Sequence, residues 1–309
     1  MNLVFFGTPD FAIPTLNTLY NSPHNILRVV TIPDKKSGRG LNYYSSSVKK
    51  YAKMLNIPIL EPNDLEDKEF LKELELIKPD IYIVVAFRIL PKSLLKIPLR
   101  GAVNLHASLL PKYRGAAPIN HAILNGEKTT GVTTFYIKQK VDTGDILLQH
   151  KINIYQDSTA GELMKDLANI GAEIMLKTLD GISNNTITIK EQNHNISSLA
   201  PKININDCQI KWNQSAEIIH NHIRAFTPTP GAFTFYNSKR IKLYKSNIED
   251  ICSNYLLDPG QIRFIKPYLI VGTNTNYIKI SELQPEGKRK LTAIDFKNSN
   301  PDIEDGYFV

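Results

Sequence analysis

Asn104 and His106 stand two residues apart in the run Gly101-Ala-Val-Asn104-Leu-His106-Ala-Ser108-Leu-Leu-Pro111-Lys-Tyr-Arg114-Gly115-Ala-Ala-Pro118. Val103 and Leu105 alternate with them, which is the pattern of a strand, so the carboxamide and the imidazole project from one face. Leu109-Leu110-Pro111 and Tyr113-Arg114-Gly115 then enforce a turn-rich loop directly after the strand. A carboxamide beside an imidazole, at a strand end roofed by a loop, is equipped for proton-coupled chemistry. On its own the pair is better read as polar side chains satisfied by neighbouring backbone.

Other candidate chemistry is weaker when each motif is taken alone. Asp142 and Asp145 in Val141-Asp-Thr-Gly-Asp145 offer two carboxylates, but the pattern is by default a turn whose side chains bond local backbone. Ser108 follows His106 by two positions. No G-x-S-x-G elbow surrounds it, and that spacing does not establish a Ser–His hydrogen bond, so a covalent nucleophile is set aside. Cys208 and Cys252 are the only cysteines, too few for a disulfide framework or a Cys-rich metal site.

The elements that must position these groups follow from periodicity. Residues 3–6 read as a buried strand stopped at Gly7-Thr8-Pro9, followed by a helical pattern of Phe11, Leu16, Leu19 and Tyr20 and a second strand over 26–32. This predicts a right-handed parallel crossover. Asp34 could pose as the ribose acid of a dinucleotide site, but Gly7 lacks the further glycines of G-x-G-x-x-G, which excludes NAD. Residues 33–47 form a loop with Lys35, Lys36, Arg39, Tyr43 and Tyr44, cations for phosphate and rings for unpaired bases, though a solvated surface loop has the same composition. Helices are predicted over 47–56 and from Asn63, with Glu66 as capping-box partner, to Pro79. The continuous apolar run 81–86 marks a central parallel strand, and Phe87-Arg88 lies at its carboxyl end, where ligands bind in open α/β sheets.

Beyond the Asn-x-His strand, residues 118–124 read as a short helix and residues 130–137 and 146–152 as an antiparallel pair. Thr159 and Glu162 cap a helix running to about residue 179, and residues 186–190 are predicted as a last strand. Residues 191–207 are polar and aperiodic, a linker. Then come a helix over 215–226 and five short β-type runs at 233–236, 241–244, 261–265, 268–271 and 277–280. The predicted class is therefore α/β: a Rossmann-like, mostly parallel sheet flanked by helices (residues 1–190), followed by a smaller OB-like β-barrel domain (residues 208–309).

At 309 residues two domains are expected, and 42% hydrophobic with 22% charged residues is an ordinary soluble balance. A formal net charge of +7 leans toward a polyanionic partner, RNA rather than membrane. The opening residues carry no basic leader or cleavage pattern, and nowhere do about eighteen apolar residues run together. A cytoplasmic monomer is expected.

The run from Asn104 to Ile119 closely resembles the signature of the folate-dependent formyltransferases. The resemblance extends through Phe6-Gly-Thr-Pro-Asp-Phe-Ala-Ile-Pro14, Pro33-Asp34 with Gly38-Arg39-Gly40, residues 141–147, Ala200-Pro201-Lys202, Arg224-Ala-Phe226 and Leu283-Gln-Pro-Glu-Gly287, nearly the whole chain. It implies that Asn104, His106 and Asp142 are catalytic. It places Ser108, Leu109, Leu110 and Pro111 against tetrahydrofolate. Phe87 and Arg88 lie where the pterin pocket is expected, Arg88 either lining it or pointing to water. It assigns Lys35, Lys36 and Arg39 to the acceptor end of a tRNA, and Thr8, Pro9, Asp10 and Phe11 to a pocket for the methionyl end.

The implied reaction moves a formyl group from 10-formyltetrahydrofolate to the α-amine of initiator methionyl-tRNA, by direct attack through a tetrahedral oxyanion. Asn104 and His106 serve as donors to that oxyanion, a role worth about 3–4 kcal/mol of barrier in comparable acyl transfers. His106, coupled to Asp142 through water, handles the protons. Neither a covalent nucleophile nor a metal ion is called for. Two rivals stand beside this reading. A sugar-nucleotide or ribonucleotide formyltransferase would share the trio but have less use for the basic loop and the barrel. A noncatalytic RNA-binding module would not depend on His106.

Overall fold

The computed structural model describes residues 1–37, 42–249 and 256–309. Arg39 of the basic loop and Cys252 lie outside the described residues. The chain forms two compact units. The first comprises Met1–Gly115, Thr130–Ile152 and Met164–Leu199, the second Ala116–Thr129, Asn153–Leu163 and Ala200–Val309.

The first unit is built on a seven-stranded sheet ordered Ile146–Asn153, Thr129–Tyr136, Ala102–His106, Ile81–Val85, Asn2–Gly7, Asn25–Val30, Ile59–Leu60. Pairing from Ala102–His106 through to Ile59–Leu60 is parallel, and Thr129–Tyr136 joins Ala102–His106 antiparallel. Ile81–Val85 is buried at every residue, as its unbroken apolar run requires when both faces are covered. From Asn2–Gly7 the chain adds strands first on one side and then, with Ile81–Val85, on the other. The carboxyl ends of those two strands therefore flank a topological switch point, the usual ligand crevice of such sheets. Register keeps the ends level: Gly7 lies opposite Val85, and Val85 opposite Leu105, so His106 projects one residue beyond.

Several local expectations shift. The third helix begins at Lys68, not Asn63, because Asp67 accepts the Phe70 N–H (2.9 Å) immediately ahead of the apolar stripe, while Asp64 is used in a turn to Glu66. Residues 33–47 contain a hairpin, Lys35–Ser37 against Asn42–Tyr44, pairing Lys35 with Tyr44 and Lys36 with Tyr43. Residues 186–190 make one bridge, Lys190 to Ile146, instead of a strand. The stretch 191–207 carries two 3-10 turns and a two-residue strand, and its Gln192 is buried. The Thr159–Glu162 capping box forms as expected, each partner reaching back to the other.

The second unit holds an antiparallel sheet ordered Ala232–Tyr236, Lys239–Glu249, Tyr277–Pro285, Tyr268–Gly272, Ile262–Ile265, with Leu291–Thr292 beside Tyr277–Pro285. The five predicted β-type runs appear as strands, four of them longer than predicted and one, Ile262–Ile265, a residue shorter, and the predicted helix appears as Ala216–Ala225. Residues 305–309 bond to both sheet edges, exchanging hydrogen bonds between Val309 and Phe235 and pairing Gly306 with Ile262. Edge groups left open by the strands are thus covered, as in a closing barrel. Trp212, Phe226, Leu243, Ile278, Phe296 and Phe308 share the core, with Trp212 stacked on Phe308 at 5.7 Å. No helix among the described residues is long and apolar enough to cross a membrane.

Candidate active site

Asn104 and His106 emerge on one face of Ala102–His106, opposite Phe135 and Thr133 of the antiparallel neighbour. His106 is 7% exposed and stands edge-on to Phe135. Its Nε2 lies 2.8 Å from the Tyr113 carbonyl, which can only accept, so Nε2 carries the hydrogen. That leaves Nδ1 facing Asp142, whose Oδ2 is 3.8 Å away. The gap is too long for a hydrogen bond. With the hydrogen on Nε2, Nδ1 presents an acceptor lone pair near a carboxylate. Asn104 Oδ1 is buried without a hydrogen-bond partner among the described residues, an acceptor with unused capacity inside the site.

Asp142 is held from two sides. Its Oδ2 accepts the Gly115 N–H at 2.8 Å, tying the turn to the loop that follows the Asn-x-His strand. Its backbone is left-handed (φ 52°), and two further non-glycine residues of this rim, Ala86 (φ 50°) and Tyr113 (φ 61°), share that conformation. Such residues store about 1–3 kcal/mol each and persist only where their surroundings over-determine them. Two residues on, the turn admits only glycine: a Cβ on Gly144 would sit 1.5 Å from the Tyr136 carbonyl oxygen. Asp145 is not part of the cluster and pairs with Lys138 at 2.7 Å.

The loop 108–115 is stiffened by its own hydrogen bonds. Ser108 Oγ donates to the Lys112 carbonyl (2.7 Å), and the Ser108 carbonyl accepts from Thr133 Oγ1 (2.7 Å). The Leu110 N–H is taken by Thr133 Oγ1 and the Leu110 carbonyl by Gln149, while the Leu110 side chain packs with Phe135 and Ile146. Leu109 and Pro111 are half-buried, and so remain the apolar surfaces of this loop open to a ligand.

The other predicted residues divide. Thr8, Pro9 and Asp10 are accessible at the end of Asn2–Gly7, whereas Phe11 is buried in the core. Phe87 packs edge-on against Phe6 at 5.5 Å. Arg88 is half-buried. It donates to the carbonyls of Pro62 (2.8 Å) and Asn63 (2.9 Å) with its guanidinium over Phe87. Lys35 is exposed on the hairpin beside Tyr43 and Tyr44, both 69% exposed.

Sequence reasoning missed Arg114 and Gln192. Arg114 is buried, and burial pushes its pKa down while the charge of Asp142 pulls it up. Its guanidinium donates to Gln192 Oε1 and to His194 Nδ1. Gln192 Nε2 in turn donates to the carbonyls of Asp142 and Gly144. Arg114 was visible in the loop motif. Gln192 lies 78 residues further on, in a stretch whose composition reads as linker, with no local signal to find it.

The chain is similar to known formyl transferases along nearly its whole length. The Formyl transferase family model matches residues 1–179, and the Formyl transferase C-terminal domain model matches residues 202–301. A curated methionyl-tRNA formyltransferase of Alkaliphilus oremlandii is 44% identical over 308 residues, covering 99% of this chain and 98% of the relative. Among solved structures, a sugar 3N-formyl transferase determined in the presence of dTDP and 5-N-formyl-THF superposes with a TM-score of 0.69 at 25% identity, covering 94% of this chain and 99% of that one. A methionyl-tRNA formyltransferase from Clostridium thermocellum shares the fold, with a TM-score of 0.56 at 17% identity, over 91% of this chain and 98% of that one.

Proposed function

Because this chain belongs to the formyl transferase family, we propose that it transfers the formyl group of 10-formyltetrahydrofolate to the methionine α-amine of initiator methionyl-tRNA, for translation initiation. The observation that carries the reading is the meeting of Asn104, His106 and Asp142 at the carboxyl rim of the sheet, in a chain that resembles methionyl-tRNA formyltransferases from end to end. The folate donor supplies an activated one-carbon unit held as an amide. Asn104, whose Oδ1 lacks a partner among the described residues, the half-buried Leu109 and Pro111, and the accessible Thr8–Asp10 turn are the residues that fit it and the acceptor.

The steps assigned to this chain are three. Asn104 meets the amine or, with its amide turned over, the formyl oxygen as negative charge develops there. His106, its Nε2 hydrogen committed to Tyr113, takes the amine proton at Nδ1 beside Asp142 and returns it to the departing nitrogen. Lys35, Lys36 and Arg39 draw in the tRNA backbone. Residues 1–190 carry the chemistry, and residues 208–309 serve the nucleic acid.

The higher TM-score of the solved sugar transferase favours a second reading, transfer to a sugar amine. Full-length identity of 44% against 25% ranks the tRNA acceptor ahead of it. Labelled formyl donor incubated with charged initiator tRNA and, separately, with an amino-sugar nucleotide decides between them: label is expected on the methionyl amine. Formylation confined to the sugar amine would overturn the assignment. His106→Ala should lose about 10²–10⁴ of turnover, the worth of a positioned acid–base group, with tRNA still bound. Unchanged behaviour would point to a noncatalytic RNA-binding module.

A further inference from the structure

We propose that Gln192 is a positioning residue for formyl transfer, holding the Asp142 turn in the one conformation that presents its carboxylate to His106. The inference rests on the functional reading above and adds to it a residue distant in sequence from the motifs that carried that reading.

The turn has to be held. Asp142 is left-handed at φ 52°, and Gly144 lies so close to the Tyr136 carbonyl that no Cβ fits. Relaxation of this backbone would swing the carboxylate, which is already 3.8 Å from Nδ1, away from the imidazole. The side chain is fixed at its far end by the Gly115 N–H. The backbone is fixed by Gln192, whose Nε2 donates to the Asp142 carbonyl at 3.0 Å and to the Gly144 carbonyl at 2.7 Å. One amide thus grips the residues on both sides of Thr143.

That amide has a single workable orientation. Its Oε1 accepts from Arg114 Nε (3.2 Å) and Nη2 (2.6 Å) while both Nε2 hydrogens go to the turn, so its full donor and acceptor capacity is used. Turned over, it would face NH₂ to a guanidinium and oxygen to two carbonyls. Arg114 and Gly115 are adjacent, so the same short segment anchors the carboxylate directly and the turn's backbone through Gln192. Gln192 is 4% exposed, and water cannot take over its bonds without entering the site.

Gln192→Glu is the informative variant. It keeps the volume and the Arg114 partner but replaces two donors with a carboxylate oxygen. Its kcat should fall about 10²-fold, the loss expected for a group misplaced by roughly 1 Å, with KM for folate and tRNA nearly unchanged. In an Asp142→Asn background the same substitution should add less than about threefold, because residues acting as a unit are not additive. Unchanged kcat in Gln192→Glu, or the full loss repeated in the Asp142→Asn background, would overturn the proposal while leaving the functional reading intact. If Gln192→Glu melts below the assay temperature, Arg114→Lys removes the fork and leaves the amide in place. It should show a smaller kcat loss that also vanishes beside Asp142→Asn, and a loss that persists there overturns the proposal equally. A wild-type chain that formylates only a sugar amine overturns the acceptor assignment alone, and the cycle is then run on that amine. A wild-type chain that formylates no amine overturns both.

Discussion

Ser108 illustrates how residue-scale roles separate once hydrogen bonds are known. Its hydroxyl is committed to the Lys112 carbonyl, which makes it a loop staple and not a nucleophile for His106. Ser108→Ala should cost about 0.5–1.5 kcal/mol of stability, the net worth of one hydrogen bond, with kcat reduced by less than about tenfold. A loss of about 10³ or more in single-turnover rate would instead mark a covalent step. The neighbouring Asn104 and His106 were legible as a pair because residues two apart on a strand share a face. Their hydrogen-bond states were not legible. The Tyr113 carbonyl that claims Nε2 is seven residues along the chain, and the loop's path alone brings it there.

Helix Ala216–Ala225 buries polar groups along with its apolar stripe. Ser215 caps it, and Ile219 and Ile223 enter the core, as its period predicts. His220 enters too, with Nδ1 near Ser246 Oγ (3.0 Å) and Nε2 near the Gln156 carbonyl and the Asp157 carboxylate (3.2 Å each). Burial lowers its pKa below the usual 6.5, outweighing the opposing pull of the Gln156 carbonyl and Asp157, and burial lowers His222 likewise. A histidine whose folded pKa is depressed is neutral in both states above the unfolded value. Below that value the unfolded chain binds a proton that the folded chain resists. Stability should therefore be level above pH 6.5 and decline as pH falls from 6.5 toward the lower folded pKa values. Thermal melts across that range check it, and His220→Gln should flatten the decline. A melting temperature that rises on acidification, with the slope unchanged in the variant, would refute the account. The helix itself was readable from apolar spacing, whereas His220 and Asp157 are 63 residues apart and met only on folding.

Across the whole molecule the formal charge of +7 sets the sign of the long-range field, and the sequence concentrates Lys35, Lys36 and Arg39 within five positions. Replacing the three by neutral residues should weaken tRNA binding and lower the slope of log K against log salt by about 0.7–0.9 per lost phosphate contact. A titration of binding against salt measures this, and an unaltered slope would move the phosphate contact elsewhere. The sequence alone determined most of the order of elements and the local motifs, because strand alternation, helix caps and turn residues are all set within a few positions. Tertiary structure decided the rest. It turned the guanidinium of Arg88 onto the Pro62 and Asn63 carbonyls and buried Phe11 in the core. It also carried Gln192 out of an apparent linker to the Asp142 turn. The physical reason is one of range: a buried polar group takes whichever partner the folded chain brings within hydrogen-bonding distance, and spacing along the sequence holds no record of that distance.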